Sequence, residues 1–510
     1  MKKQSKILPF IVATGVLFNF LVWQQYLGLN ILLISVVIQC GFLFFNTSSF
    51  KSKKVLFLAA LQLVSAINVV MVNSNLSIIT CAITTLVYAL FVHEPRFRNI
   101  LNAFFWYLIN FCLAFIYTKE ELVNVKNESI KIKGLIRVLK LFALPLFIIL
   151  IFLTIYSNAN PIFSNYLNKF FYHINKFLYE LFGEINFLWL LSCIFCIWLT
   201  TALILKGNAP NIYHEEEKQN DELHRVRKKH HPLNLIQKKP QILGLKNEYL
   251  SGVITLVSLN IIILFLNITD FTTVWTGVEF SSRKELRMMV YEGTGMLIIS
   301  ILLSKLVLLI FFRKNINFYP KNKWIKILAY TWIVQNGILL ISVFLRNYQY
   351  IAHYALGYKR IGVYFYLYLT CFGLITLFLK IYQKKSFFYL LRVNAWNAFG
   401  VLLISSFVNW DIYIAKYNFR HASETPLDLG LLYELPANTL PFILENREVI
   451  EQRAQELKLK NRYQNFSLSA FARDAKRLVK KEQSWKSWNY NDYKTKKKLI
   501  EQKDIWSKLL

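Results

Sequence analysis

Charge is scarce in this sequence, and cysteine is both scarce and confined to apolar segments. Only 17% of the 510 residues are charged, whereas 55% are hydrophobic and come in long blocks rather than in amphipathic stripes. The six cysteines lie inside those blocks, at positions 40, 81, 112, 193, 196 and 371. The sequence therefore implies no disulfide framework, and its apolar blocks are typical of a multi-pass membrane protein rather than a soluble one.

Motifs for phosphate binding and nucleophilic catalysis are missing from the most polar region, residues 411–510. Cys193 and Cys196 form a CxxC, but it lies in an apolar run with no second pair, so we interpret both as buried small residues. Four histidines at 214, 224, 230 and 231 are crowded by Lys and Arg and have no fixed ligand spacing. The sequence thus predicts no catalytic residue, no metal site and no cofactor.

Twelve apolar segments are each long enough to cross about 30 Å of hydrocarbon as a helix. They cover residues 8–24, 29–45, 55–72, 75–92, 100–117, 136–156 and 185–205 in the first part, and 250–268, 291–312, 324–345, 361–382 and 387–408 in the second. The predicted fold class is therefore all-α, a polytopic integral membrane protein of about 11–12 spans with a small C-terminal helical soluble domain.

Two polar stretches divide the chain. Mixed charge with little apolar content at 207–247 is typical of a solvated linker, and apolar residues recur at helical spacing beyond residue 409. We predict four parts: an N-terminal transmembrane bundle at 1–206 with an interfacial helix near 157–184, a charged linker at 207–247, a five-span core at 248–408 and a C-terminal helical extramembrane domain at 409–510.

Positive charge dominates, with 60 Lys and Arg against 29 Asp and Glu. The basic residues cluster in loops beside the spans, where anionic lipid and membrane topology explain them better than nucleic acid does. We therefore expect membrane lipids as partners and no nucleic acid. The same charges predict a cytoplasmic N-terminus and linker and an external C-terminal domain, with eleven spans if 100–117 is re-entrant or interfacial.

Six stretches carry a family resemblance, in this order along the chain: NEYLSGVITLVSLNIIILFLN, ELRMMVYEGTGMLIISILL, LRNYQYIAHYALGYKRIGVYFYLY, NWDIYIAKYN, LDLGLLYEL and SWKSWNYNDYK. Together, over roughly residues 248–498, they resemble a bacterial family of multi-pass membrane proteins known as domain of unknown function 4153/4173. The resemblance implies a helical membrane fold. It implies no activity, because the family has none established.

Ionisable groups inside spans are the strongest functional candidates, because each costs roughly 2.5–3.5 kcal/mol at the bilayer centre unless it is partnered. Lys305 is one, with about nine mostly apolar residues before it and seven after. It is predicted either to contact an ion or an anionic substrate, or to form a structural pair with a carboxylate or carbonyl groups of a neighbouring span.

A second candidate site comprises polar residues at one end of neighbouring spans. Glu292 lies at the start of one span, and Arg346, Tyr354 and Arg360 lie in the connection between the next two. If these spans pack side by side, the four residues meet in a polar, aromatic-lined vestibule. The alternative is an ordinary interfacial belt of Tyr and Arg.

The segment NWDIYIAKYN, residues 409–418, marks the change from apolar to polar sequence. Trp410 suits the membrane interface, Asp411 is predicted to cap the helix that follows, and Lys416 is predicted to reach lipid phosphate. We interpret the segment as an interfacial joint between a span and a surface helix.

These observations favour a non-enzymatic protein of the bacterial cell envelope, in the cytoplasmic membrane. It would be a permease or an assembly or sensing component whose C-terminal domain binds protein partners, although the lack of a clear internal repeat counts against a carrier. The alternative is an intramembrane transferase acting on a lipid-linked substrate. That reaction needs carboxylates or histidines near one face, and Glu292 and His353 are the residues available.

Overall fold

The computed structural model describes the chain except for residues 1–5, 110, 112–160, 183–186, 206–211, 225–244, 276–282, 313–314, 424, 426 and 460–467. The described residues form helices joined by short turns, without a named strand. Six of these helices are long and apolar enough to cross a membrane, and several shorter apolar helices accompany them. The predicted all-α, multi-pass membrane fold is therefore confirmed.

Most of the described helices up to Glu217 follow the predicted apolar segments; the exceptions are Pro161–Phe182, near the predicted interfacial helix, and Ile212–Glu217, inside the predicted linker. The helices are α1 (Ile7–Val22), α2 (Leu29–Phe45), α3 (Lys53–Met71), α4 (Asn75–His93), α5 (Ile100–Ile109), α6 (Pro161–Phe182), α7 (Phe187–Ile204) and α8 (Ile212–Glu217). The predicted segment 136–156 and most of 111–117 lie outside the described residues, so the eleven-span topology stays a prediction. The predicted helix near 157–184 is present as α6, and its interfacial position stays a prediction.

Five long helices follow the linker. They are α9 (Leu245–Asp270), which continues as a π turn at Phe271–Trp275, α10 (Arg283–Phe311), α11 (Lys323–Tyr354), α12 (Tyr358–Tyr382) and α13 (Phe387–Ser406). Shorter helices complete the chain: α14 (Trp410–Arg420), α15 (Leu429–Glu434), α16 (Leu440–Glu445), α17 (Arg447–Leu459), α18 (Ser469–Lys480), α19 (Tyr490–Glu501) and α20 (Lys503–Ser507).

The chain forms two compact units. The first contains Met1–Glu216, Ser405–Phe407 and Lys481–Lys494; the second contains Glu217–Ile404, Val408–Lys480 and Thr495–Leu510. The four sequence-predicted parts stay a prediction, and the packing adds a finding that sequence order does not suggest. The aromatic segment Lys481–Lys494 belongs to the first unit, where the Leu29 N–H donates to the Trp488 carbonyl over 2.9 Å.

Small and polar side chains hold the first unit together. Gly15 of α1 lies against the backbone of Ile197 on α7, so closely that a Cβ at Gly15 would lie 2.6 Å from the Ile197 Cα. Between α2 and α3, Gln39 donates to Gln62 over 2.8 Å. Such close approaches and interhelical amide bonds are common in membrane bundles, because lipid gives helices no hydrophobic reason to associate.

Two apolar cores stabilise the second unit. One lies among α9 to α12, and the other joins the helices after residue 410 to the ends of α11 and α12. In the latter core α18 buries Phe471 and Ala475, Leu468 is buried just before the helix begins, and Leu478 packs at its edge. Some of the apolar residues that recur at helical spacing beyond residue 409 therefore form one face of this helix.

Candidate functional site

A hydrogen-bonded polar seam runs between α9 and α11 of the second unit. Asn260 donates to the Leu328 carbonyl over 3.1 Å, Asn267 donates to the Gln335 carbonyl over 3.1 Å, and Gln335 donates to the Asn260 side chain over 3.1 Å. The first two pairs share a separation of 68 residues, so the two helices run parallel. Side chains that are each less than one tenth exposed thus line an α9–α11 seam within apolar spans.

One end of the α9–α11 seam holds a buried ion pair. The Arg346 guanidinium donates to the Asp270 carboxylate over 2.5 Å, and these residues are 7% and 3% exposed. Sequence reasoning singled out Arg346 but missed Asp270, which lies just beyond the predicted span 250–268. A buried ion pair of this kind is stable only while each charge keeps its partner.

Four buried oxygens in and beside the α9–α11 seam have no hydrogen-bond partner among the described residues. They are Oδ1 of Asn267, Oδ2 of Asp270, Oε1 of Gln335 and Oδ1 of Asn336. Each belongs to a group whose other polar atom is already bonded to protein. The seam therefore has acceptor capacity left over at a depth where each unmade hydrogen bond costs about 1–3 kcal/mol.

A second polar group lies where α10, α12 and α13 meet. Lys305 of α10 is half-buried, and its ammonium faces the backbone of Gly373 on α12. Lys380, one heptad further along α12 and 2% exposed, donates to the Phe312 carbonyl over 2.8 Å. Within the part of the chain that the structure describes, neither ammonium pairs with a carboxylate.

The predicted vestibule residues divide between two neighbourhoods. Arg346 turns toward Asp270, as described above, whereas Arg360 lies over the Tyr350 ring at 4.7 Å and donates to the Ala355 carbonyl over 2.6 Å. Tyr354 stacks on the same Tyr350 ring, with the centroids 4.6 Å apart. Glu292 lies in α10, but its side chain is outside what the structure describes. The vestibule as a whole stays a prediction.

The joint at 409–418 is hydrogen-bonded to the turn between α11 and α12. Asn418 accepts from the Leu356 N–H over 2.7 Å and donates to the Leu356 carbonyl over 2.9 Å, beside Ala355, whose φ is 63°. A non-glycine residue at positive φ is strained, so this two-fold contact explains how the turn is held. Sequence reasoning missed Asn418 because its partner is remote in sequence.

The three predicted joint residues have separate contacts. Trp410 packs edge-on against Phe365, and Lys416 is exposed. The prediction that Asp411 caps the helix is wrong, because α14 begins at Trp410 and the cap is Asn409, which accepts from the Ile412 N–H. Asp411 instead accepts from the Tyr358 hydroxyl over 2.5 Å and from Asn438 over 3.0 Å.

Part of the predicted linker is docked on the turn between α12 and α13. Residues 221–224, the linker strap, pair with that turn: the Leu223 N–H donates to the Lys384 carbonyl over 2.9 Å, and the Ser386 N–H donates to the Asp221 carbonyl over 2.8 Å. Two ion pairs reinforce the backbone bonds, Lys385 to Glu222 at 2.8 Å and Arg392 to Asp221 at 2.6 Å. The strap thus holds the start of α13.

The Lys385 hydrogen bond lowers the pKa of Glu222, and the same bond raises the pKa of Lys385. The contribution of Glu222 is present above the usual carboxyl pKa and is lost as pH falls through the lowered value, whereas that of Lys385 is lost only as pH rises through the raised value. The strap therefore stays charged on both sides across the neutral range.

We expect the charge reversal Glu222→Lys to loosen the strap, because it places two ammonium groups together. Hydrogen exchange at the Leu223 and Ser386 amides should accelerate, and the swapped pair Glu222→Lys with Lys385→Glu should restore the slow exchange. Equal exchange in the single variant and the unchanged protein would show that the backbone bonds alone hold the strap.

The matching family model is described as a domain of unknown function, DUF4153, and it covers residues 32–446, more than half of the chain. The chain belongs to this family. The match begins well before residue 248, within α2, so the helices that follow α2 in the first unit of this DUF4153 protein share the family pattern too. No curated protein and no solved structure matches the chain. Both polar groups of this DUF4153 chain, the α9–α11 seam and the pair of lysines Lys305 and Lys380, lie within the matched residues.

Proposed function

We propose that this multi-pass membrane protein is a permease, which moves a small polar solute across the cytoplasmic membrane of a bacterial cell. The observation that carries the proposal is the unused acceptor capacity of the α9–α11 seam. Membrane lipids are its proposed surroundings, and the helices after residue 409 are the proposed place for protein partners.

A purely structural seam would be expected to use its hydrogen-bonding groups on itself. Asn267, Gln335 and Asn336 each use the amide nitrogen on protein, and each keeps a buried carbonyl oxygen without a partner among the described residues. Left unmet in hydrocarbon, such oxygens oppose folding. A solute with N–H or O–H donors, passing along the seam with water, would meet that capacity.

The buried ion pair supports the same reading. Charged side chains inside spans are costly, and they commonly face a solute or ion pathway. Asp270 and Arg346 lie on the two helices that form the α9–α11 seam, and one Asp270 oxygen still lacks a partner among the described residues. An ionised pair beside uncommitted acceptors can exchange partners with a polar solute, whereas an apolar contact cannot.

The substitution Asn336→Leu tests whether the seam serves transport rather than folding. Leucine repeats the branching of the asparagine side chain and removes a buried oxygen that lacks a described partner, so the variant should fold about as well as the unchanged chain. We expect it nevertheless to lose transport. The exposed Asn75→Leu is the matched control and should retain transport.

The measurement is a comparison of cells lacking the gene with cells restored by each variant, in which small molecules and lipids are profiled in cells and medium. A permease predicts one compound redistributed across the membrane at constant total amount in the deletion and Asn336→Leu strains. Loss of a product with accumulation of its unmodified lipid-linked precursor would instead establish a transferase. Full restoration by Asn336→Leu would contradict the role of the α9–α11 seam.

A further inference from the structure

The meeting point of α10, α12 and α13 is built around a glycine. A Cβ placed on Gly373 would lie 2.8 Å from Nζ of Lys305 and 3.5 Å from Oδ1 of Asn394. Groups from three helices therefore face one bare stretch of backbone, which we call the Gly373 niche, formed by Lys305, Gly373, Thr376 and Asn394. Any larger residue at 373 would occupy the space in which the ammonium lies.

The amide of Asn394 is fixed in orientation. Its nitrogen donates to Oγ1 of Thr376 over 2.9 Å and to the Leu390 carbonyl over 2.8 Å, and Thr376 in turn donates to the Gly373 carbonyl over 3.0 Å. With both amide hydrogens committed, Oδ1 is directed toward the niche. The bond from Asn394 of α13 to Thr376 of α12 thus sets one wall of the niche.

Positive charge accumulates at this place without a described counter-charge. Lys380 lies on the same side of α12 as Gly373, one heptad away, and Phe312, its carbonyl partner, lies one heptad after Lys305. At 1.5 Å per residue Lys380 and Gly373, which the Lys305 ammonium faces, lie about 10 Å apart along α12. Like charges at that distance in a poorly screened interior repel, and an anion near them removes the repulsion.

The sequence left open a structural pair of Lys305 with a carboxylate or with carbonyl groups, but among the described residues Lys305 has neither an ion pair nor a hydrogen bond of that kind. We propose that the Gly373 niche binds the anionic group of the transported solute, a carboxylate or a phosphate monoester, with Lys305 supplying the charge. The bare backbone at Gly373 leaves room for the ammonium against α12, and the fixed Asn394 oxygen lies beside the same glycine, so the niche presents the lysine among polar groups. The statement that the ligand is a transported solute rests on the proposed permease function, whereas the preference for an anion does not.

Binding is measured on the purified full chain in zwitterionic lipid nanodiscs. The probes are inorganic phosphate, acetate, octyl phosphate and octanoate, with octanol and octyltrimethylammonium as neutral and cationic counterparts. We expect the anionic probes to bind and their counterparts not to. Binding of the free ions would identify a soluble anion as the ligand, whereas binding of the octyl anions alone would identify an amphiphile with an anionic headgroup.

Lys305→Met and Gly373→Ala should each weaken binding of the anion by about tenfold or more, the size expected when one hydrogen bond to a charged group is lost. Lys305→Arg keeps the charge and should retain binding, which keeps the test decisive if the methionine variant does not fold. The exposed Lys321→Met is the control and should bind as the unchanged chain does.

Equal binding of anionic, neutral and cationic probes, or unchanged anion binding in both Lys305→Met and Gly373→Ala, would overturn the niche. The permease proposal fails separately. Anion binding without redistribution of any solute in the deletion strain would support the niche and contradict the permease function. Redistribution of a cationic solute would support the permease function and contradict the niche.

Discussion

Replacing Arg346 with leucine should lower the free energy of unfolding by about 3–5 kcal/mol, because the Asp270 carboxylate would remain buried without its cation. Asp270 is the last residue of α9 and only 3% exposed, so water cannot easily take over the role of the guanidinium. Denaturant titration of the purified protein in detergent micelles measures the loss. The pair Asp270→Asn with Arg346→Leu removes both charges and should recover much of it.

Arg392→Leu is the matched control. Its ion pair with Asp221 has the same chemistry, but the two side chains are 28% and 33% exposed. Solvent screens such a pair, so its loss should cost no more than about 1 kcal/mol. If the two leucine variants lost equal stability, or if the double variant were less stable than Arg346→Leu, burial would not be what makes the Asp270–Arg346 pair important.

The spans were predictable because the signal for them is local. A run of apolar residues longer than the bilayer is thick has few alternatives to a membrane helix, and α2 has the predicted bounds 29–45. The cap of α14 was missed for an equally local reason. Asn409 and Asp411 are both good capping residues, and only the position at which the helix starts decides between them.

The candidate site was only half predictable, because its contacts join positions far apart in sequence. Arg346 was recognised as a polar residue near the end of a span, but its partner lies 76 residues earlier and beyond the predicted end of another span. Lys380 also lies near the end of its predicted span, where a lysine ordinarily reaches for the interface. Here it turns inward to the Phe312 carbonyl, which no periodicity reveals.

The contact between α1 and α7 tests the packing of the first unit. Besides the close approach at Gly15, Asn19 of α1 accepts from Ser192 of α7 over 2.5 Å and donates to the Trp189 carbonyl of α7 over 3.4 Å. These bonds form only while the two backbones remain at the distance that a glycine permits. A side chain at position 15 therefore acts on the whole contact rather than on one atom pair.

Gly15→Ala should destabilise the protein by about 1–3 kcal/mol, and Gly15→Leu by more, because the new Cβ would overlap the Ile197 backbone and force α1 and α7 apart. Gly337→Ala, at the α11 position where a Cβ would meet nothing within 4 Å, should instead add about 0.5–1 kcal/mol by restricting the unfolded chain. Denaturant titration of the two alanine variants under the same conditions measures whether their free energies of unfolding change in opposite directions. Stabilisation by Gly15→Ala would mean that α1 and α7 can separate at no cost, and that glycine at this position does not set their distance.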